Sequence, residues 1–419
     1  MHSTAGVRTE HTVIVGNGQA GVQLADSLRT LGYTGGISII GEEPVLPYQR
    51  PPLSKDYMAA GPAPQPLPLR AEAFYRERGV DLRLGVRVSR IDRQQHLVEL
   101  DDGGTVAYSA LVLATGAANR VLSVPGSGLE GIHTLRTLAD AEGIQARLGQ
   151  VRSVVVVGAG FIGLEFAAAA RQRGLEVTVL EFADRPMGRA LSPAMSGYFA
   201  QAHLASGVRL RLGEGIASFD GSNGQVSAAI STTGERYPAD LVLVGVGVLP
   251  RTELAQAAGL AVDNGVVVDG MLRTSDPEIY ALGDCASYPN LQLGGRTRLE
   301  SVQNATDQAR HLATVMTGGT GDYAELPWFW SQQGRLKLQI AGLLQPECAT
   351  VLRGDPATDK FSVFCFSGGQ LAAVESVNQP ADHMAARRLL GQRLPLTPEQ
   401  AADPAFDLKG YSKLQPLPA

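Results

Sequence analysis

Two segments of this 419-residue chain repeat one spacing of glycines: Gly16-Asn-Gly-Gln-Ala-Gly21 and Gly158-Ala-Gly-Phe-Ile-Gly163. Each follows an apolar run, Thr12 to Val15 and Val154 to Val157, and opens an alanine-rich stretch. In a strand–turn–helix unit the first glycine allows the tight turn, the second lets backbone approach a pyrophosphate, and the third lets helix pack on strand. The helix N-terminus then favours the phosphates. One such string in a glycine-rich chain marks no more than a tight turn. Two, each in the same context, constrain the chain to two strand-helix nucleotide units and point to two dinucleotides.

An acidic residue about 20 positions beyond such a fingerprint belongs on the ribose. Glu42 stands there for the first copy, after Ile37 to Ile40, and Glu181 for the second, directly after Val177 to Leu180. A carboxylate at Glu181 accepts from a ribose 2'-hydroxyl and repels a 2'-phosphate, so the second site is expected to prefer NAD to NADP. Arg185 and Arg189 lie just beyond it and work against that preference.

The bulk figures set limits. A composition of 44% hydrophobic and 18% charged residues is that of a globular protein, and a net charge of -5 supplies no general attraction to nucleic acid. Three scattered cysteines, Cys285, Cys348 and Cys365, form neither a disulfide framework nor a zinc cluster and suit a reducing cytoplasm. Met1 to Glu10 carries no apolar stretch, which predicts no secretion signal. The apolar span Val154 to Ala170 is interrupted by glycines and Glu165, and reads as a buried strand and its helix rather than a membrane segment. His96, His133, His203, His311 and His383 are isolated in the sequence and read as structural or exposed; no metal site is expected.

Strand and helix patterns alternate from Thr12 to about Gly116 and again from Val151 to about Pro250, which predicts an α/β protein with two doubly wound, Rossmann-like domains. Ala110-Leu-Val-Leu-Ala-Thr-Gly116 and Leu241-Val-Leu-Val-Gly-Val-Gly247 each end such a series. From Ala324 onward, alternating strands such as Lys337 to Gly342 and Phe361 to Phe366 precede a helix-like His383 to Leu390, suggesting a C-terminal α+β domain. The expected division is 8–118 with 251–326, 119–250 inserted between them, and 327–419.

Thr274-Ser-Asp-Pro-Glu-Ile-Tyr-Ala-Leu-Gly-Asp284 is the strongest single motif. With both fingerprints and Ala114-Thr-Gly116 it resembles the two-dinucleotide flavoproteins of the pyridine nucleotide-disulfide oxidoreductase superfamily, whose architecture is glutathione reductase-like. The resemblance implies FAD at the Gly16 site and NAD at the Gly158 site. It implies FAD contacts from Gly16, Gly18, Gln19, Ala20, Gly21, Glu42, Arg50, Lys55, Ala114, Thr115, Gly116, Gly283, Asp284, Ser301, Val302 and Trp330. For NAD it implies Gly158, Gly160, Phe161, Ile162, Gly163, Glu181 and Arg189.

The catalytic cysteines of the disulfide reductases, thioredoxin reductases and NADH peroxidases are missing at their usual places. The first of these regions instead reads Tyr48-Gln-Arg-Pro-Pro-Leu-Ser-Lys55, which resembles the ferredoxin reductases of bacterial oxygenase systems, as do Glu300 to Ala305, Pro327-Trp-Phe-Trp-Ser331 and Ser376-Val-Asn-Gln379. That resemblance implies a flavoprotein oxidoreductase, a ferredoxin–NAD(+) reductase acting in electron transfer. Hydride would go from NADH to FAD, and single electrons to a 2Fe-2S ferredoxin that feeds a cytochrome P450 or a Rieske oxygenase. Lys55, on the first domain, and Glu165, in the first turn of the second domain's first helix, match a Lys-Glu pair beside the flavin. The segment at Val302 would face the flavin pyrimidine edge, and Trp330 would cover the ring. Arg310, Lys337, Arg387, Arg388 and Lys409 are candidate docking residues for an acidic ferredoxin. Two other readings share the motifs: an NADH oxidase or quinone-directed NADH dehydrogenase, and a redox-gated interaction protein similar to apoptosis-inducing factor.

Overall fold

The computed structural model describes residues 10–59, 61 and 65–414. The stretch through residue 9, most of the segment read for a secretion signal, lies outside the described residues. The chain forms two compact units. The first contains residues 10–49, 66–118 and 249–325; the second contains 50–65, 119–248 and 326 onward.

The first unit is built on a five-stranded parallel sheet in the order Ile279–Ala281, Ala110–Leu113, His11–Val15, Gly36–Gly41, Val80–Leu84. Val13, Ile14, Ile39, Leu111 and Val112 are buried without residual exposure, as strands covered on both faces require. The helices Gln19–Thr30 and Val302–Met316 pack together, and Leu24, Leu28 and Leu312 complete the core. A three-stranded antiparallel sheet, Val88–Asp92, Leu97–Leu100 and Thr105–Ala107, is appended.

The second unit repeats the plan. Its parallel sheet runs Arg209–Leu212, Glu176–Glu181, Ser153–Val157, Leu241–Val244, Ile132–His133. The apolar span Val154 to Ala170 falls in the strand Ser153–Val157 and the helix Phe161–Gln172 that follows it. Among the described residues no helix is long and apolar enough to cross a membrane. The same unit holds a five-stranded antiparallel sheet in the order Trp328–Gln333, Leu336–Gly342, Gln370–Val377, Lys360–Ser367, Ala349–Asp355, with the helix Pro380–Gly391 on one face.

Two groupings differ from the sequence-based division, and side-chain chemistry explains both. Residues 50–65, expected in the first nucleotide domain, cluster with the second unit: Ser54 and Lys55 donate to Glu165, and Arg173 donates to the Met58 carbonyl. The C-terminal sheet, expected as a third domain, is tied into that unit by Tyr198 to Asp359 (2.6 Å), His203 to Gln333 (2.7 Å) and Glu375 to Ser192.

Glu375 is fully buried and accepts from both the amide and the hydroxyl of Ser192, the cap of the helix Pro193–Ala205, at 2.7 and 2.5 Å. Burial pushes its carboxyl up from 4.5 to about 7, against the opposing pull of those hydrogen bonds and of Arg185. A carboxyl raised in this way holds more protons folded than unfolded, so stability falls as pH climbs from about 4.5 to about 7. Glu375→Gln, which mimics the protonated form, is therefore expected to flatten this fall. Thermal unfolding should place the variant above wild type by on the order of 2 kcal/mol near pH 8, with little difference near pH 5.

Candidate active site

Each fingerprint sits at the C-terminal end of the central strand of its sheet, where a parallel sheet places its ligands. The three glycines of each have separate physical reasons. Gly158 has φ +102, and a β-carbon on it would strike the Gly245 carbonyl; Gly16, at φ +121, stands in the same way against Ala114. A β-carbon on Gly163 or Gly21 would overlap the carbonyl of the fingerprint's own first glycine. The middle glycines are different. Gly160 (φ -77, ψ 179) and Gly18 (φ -81, ψ -168) have backbone any residue adopts, and an added β-carbon would meet no protein atom within 4 Å. Neither the turn nor the packing requires glycine there. Space kept open at a helix N-terminus is what a dinucleotide pyrophosphate needs, so the residues present fit two such groups.

Glu181 reaches back to its own fingerprint: Oε2 accepts from the Ala159 amide at 2.7 Å and Oε1 from the Ala183 amide at 2.8 Å. The carboxylate is thereby fixed at the strand end with lone pairs left for a hydroxyl. The two arginines expected to oppose it do not gather beside it. Arg185 donates to the carbonyls of Leu191 (2.6 Å) and Gly188 (2.7 Å), inside its own loop. Arg189 lies on the other side of the central strand, its Nη2 3.6 Å from where a β-carbon of Gly247 would stand. In the first unit, Glu42 is ion-paired with Arg251.

Other expected cofactor contacts of the first unit converge on the same strand ends. Gly283 (φ +76) donates its amide to Gln308 at 2.7 Å, and a β-carbon there would press on Ala20. Gln19 Nε2 reaches Thr306 Oγ1 at 3.1 Å. Asp284 is the middle residue of the short 3-10 turn Gly283–Cys285 rather than the cap of a long helix. Ser301 caps the helix Val302–Met316 by accepting from the Asn304 amide, leaving Val302 as its first residue. The Thr115 hydroxyl donates to the Arg251 carbonyl, while Ala114 and Gly116 flank it at the end of the strand Ala110–Leu113.

Within the second unit the sequence Arg50-Pro-Pro-Leu-Ser-Lys55 folds as a 3-10 turn over Pro51–Ser54, its start favoured by the fixed φ of two prolines. Arg50 donates to the Arg136 carbonyl at 2.8 Å, and Leu53 and Ser54 are buried. Lys55 Nζ meets Glu165 Oε2 at 2.8 Å and the Pro51 carbonyl at 3.1 Å. Glu165 is the fifth residue of the helix Phe161–Gln172, not in its first turn, and only 5% exposed. Its Oε2 also accepts from Ser54 Oγ at 2.5 Å, and its Oε1 from Ser331 Oγ at 2.6 Å. A buried ion pair offsets its desolvation only when the remaining lone pairs find donors, and here the Ser54 and Ser331 hydroxyls supply them.

Ser54, Ser331, Gln333 and His203 were missed by the sequence reading. Two of them sit inside quoted strings, Ser54 before Lys55 and Ser331 after Trp330, which was the available signal. His203, read as isolated, is 5% exposed and bonded to Gln333, and burial lowers its affinity for a proton. Beside this cluster Phe161 packs on Phe329 at 4.6 Å, and Trp330 is half-buried next to them. Of the docking candidates, Arg310, Lys337, Arg388 and Lys409 are exposed. Arg310 contacts Asp307, and Arg387 is laid 4.3 Å over the ring of Trp328.

Residues 10–309 match the family of pyridine nucleotide-disulphide oxidoreductases and residues 328–412 a reductase C-terminal family. The chain belongs to the pyridine nucleotide-disulphide oxidoreductase family. It is 52% identical to rhodocoxin reductase of Rhodococcus erythropolis over 95% of this chain and 93% of the relative. The crystal structure of a ferredoxin reductase from Rhodopseudomonas palustris superimposes with a TM-score of 0.94 at 46% identity, covering 96% of this chain and all of that one. The reductase of a covalent putidaredoxin reductase–putidaredoxin complex gives 0.92 at 38%, covering 96% and 98%.

The contrast between the glycines is directly testable. Gly160→Val is expected to leave the melting temperature unchanged while weakening NADH binding more than about tenfold, since only the ligand's space is lost. Gly158→Ala is expected to lower the melting temperature, because the left-handed turn and the Gly245 carbonyl both oppose a β-carbon. Calorimetry and a binding titration on both variants make the comparison.

Proposed function

We propose that this chain is an FAD-dependent NADH:ferredoxin reductase that passes single electrons to a 2Fe-2S ferredoxin feeding a cytochrome P450 or Rieske oxygenase. The observation that carries the reading is the open middle glycine at a helix N-terminus, present once in each unit, at Gly18 and at Gly160. Two dinucleotides held by one chain suit a donor that gives two electrons together and a resident carrier that releases them singly. The near-full-length likeness to the ferredoxin reductase from Rhodopseudomonas palustris supports a ferredoxin as acceptor. A reducing cytoplasm suits the three unpaired cysteines.

Bound flavin supplies the chemistry, accepting hydride and giving up electrons one at a time. The residues of the chain bind and bias it. The Gly16 cradle and the Gly283-Asp284 turn hold FAD, and the Gly158 cradle holds NADH with Glu181 on its adenosine ribose. With FAD bound, the Lys55 ammonium, held by Glu165, would supply positive charge that favours the reduced cofactor, and the N-terminus of the helix at Val302 would do the same. The lone pair left on Glu165 Oε1 is available to the nicotinamide amide. Arg50 joins the FAD contacts, Trp330 covers the ring, and Phe161, Ile162 and Arg189 line the NADH site. Arg310, Lys337, Arg387, Arg388 and Lys409 steer an acidic ferredoxin.

Anaerobic mixing of the yellow protein with NADH and then with a 2Fe-2S ferredoxin tests the function. Bleaching of the flavin followed by recovery, with the ferredoxin reduced, is the expected result; recovery only with oxygen or a quinone would refute it. Lys55→Met is expected to slow flavin reduction by roughly 100-fold in single-turnover stopped flow, the lower end of the loss on removing one preorganised donor at a reacting centre.

A further inference from the structure

Behind the Lys55–Glu165 pair a line of buried polar side chains runs through the second unit. Ser331 Oγ is 2.6 Å from Glu165 Oε1, Gln333 Nε2 is 3.4 Å from Ser331 Oγ, and His203 Nε2 is 2.7 Å from Gln333 Oε1. Ser331 is fully buried, Gln333 4% exposed and His203 5% exposed. These groups come from three elements, the helix Phe161–Gln172, the strand Trp328–Gln333 and the helix Pro193–Ala205. Packing alone would favour apolar side chains at such places, because a buried polar group is costly unless it is bonded.

The carboxylate fixes the direction of every bond in the line. An ion-paired carboxylate only accepts, so the Ser331 hydroxyl must donate to it. Ser331 then has lone pairs alone to offer Gln333, which turns the amide nitrogen toward it and the amide oxygen toward His203. An amide oxygen only accepts, so the neutral His203 ring carries its proton on Nε2. All three donors thus point at Glu165, and bonds aligned head to tail reinforce one another at low local dielectric.

We propose that Ser331, oriented by Gln333 and His203, is a positioning residue for hydride transfer: it holds the Glu165 carboxylate in one place and thereby keeps the Lys55 ammonium in one place. The inference rests on the reading of Lys55 and Glu165 as the pair that serves the flavin. It assigns a role in the reaction to residues of the C-terminal sheet and of the helix Pro193–Ala205.

The test compares wild-type holoenzyme with Ser331→Ala, Lys55→Met and the double variant. Two quantities are read: the flavin midpoint potential, by spectroelectrochemistry, and the rate constant of flavin reduction by NADH. Ser331→Ala is expected to lower the potential and to slow reduction roughly 3- to 10-fold, in the same direction as Lys55→Met but less. In the double variant the Ser331 effect is expected to vanish, since a residue acting through another adds nothing once that other is gone. Wild-type potential and rate in Ser331→Ala would overturn the proposal, as would losses that add in full. If Lys55→Met itself matches wild type, the reading of the pair fails and the inference with it; if only Ser331→Ala does, the pair stands and the inference fails alone. Should Ser331→Ala not retain flavin, Gln333→Met breaks the line one link further back, with the same expected and contrary results.

Discussion

A carboxylate that is 95% removed from water must be surrounded by donors, and Glu165 draws them from far along the chain. Ser54 lies 111 residues before it and Ser331 166 residues after it. The second unit is assembled from three separate stretches of sequence, and this one side chain is bonded to residues from the other two. Removing it would strand Lys55, Ser54 and Ser331 together, which is why the local fold and the chemistry proposed for the site depend on the same group.

Both nucleotide units were legible because their signals are local. The glycines at 16, 18 and 21 and at 158, 160 and 163 encode a turn, an opening and a close approach within six residues, and the apolar strands before them admit one period only. The acid at Glu181 was legible for the same reason, being one strand away. The positions of Arg185 and Arg189 were not, because a long flexible side chain takes its direction from the carbonyls of its loop and from the neighbouring strand. Ser331 stood inside a motif string, but its connection to Gln333 and His203 left no trace in sequence. A serine, a glutamine and a histidine acquire a joint meaning only when a strand and two helices far apart in sequence are brought side by side.

Among the described residues the two buried acids, Glu165 and Glu375, are surrounded differently. Glu165 has a cation and two hydroxyls, whereas Glu375, among the described residues, is bonded by Ser192 and has the more distant Arg185. The first arrangement answers burial with charge, the second with a proton. Neutral pH therefore falls where Glu375, which accepts from the Ser192 cap of the helix Pro193–Ala205, is half-way between its two states.

The direction of the bonds behind Glu165 carries one more consequence, for proton traffic. A line of hydroxyls and waters can pass protons by handing each bond on to the next; an amide in the line cannot, because its N–H does not release a proton near neutral pH. Gln333 is such an amide. The line from His203 therefore transmits an electric field to the carboxylate and blocks a proton current to it. The interior of the second unit is insulated on that side, while Lys55 itself remains 15% exposed.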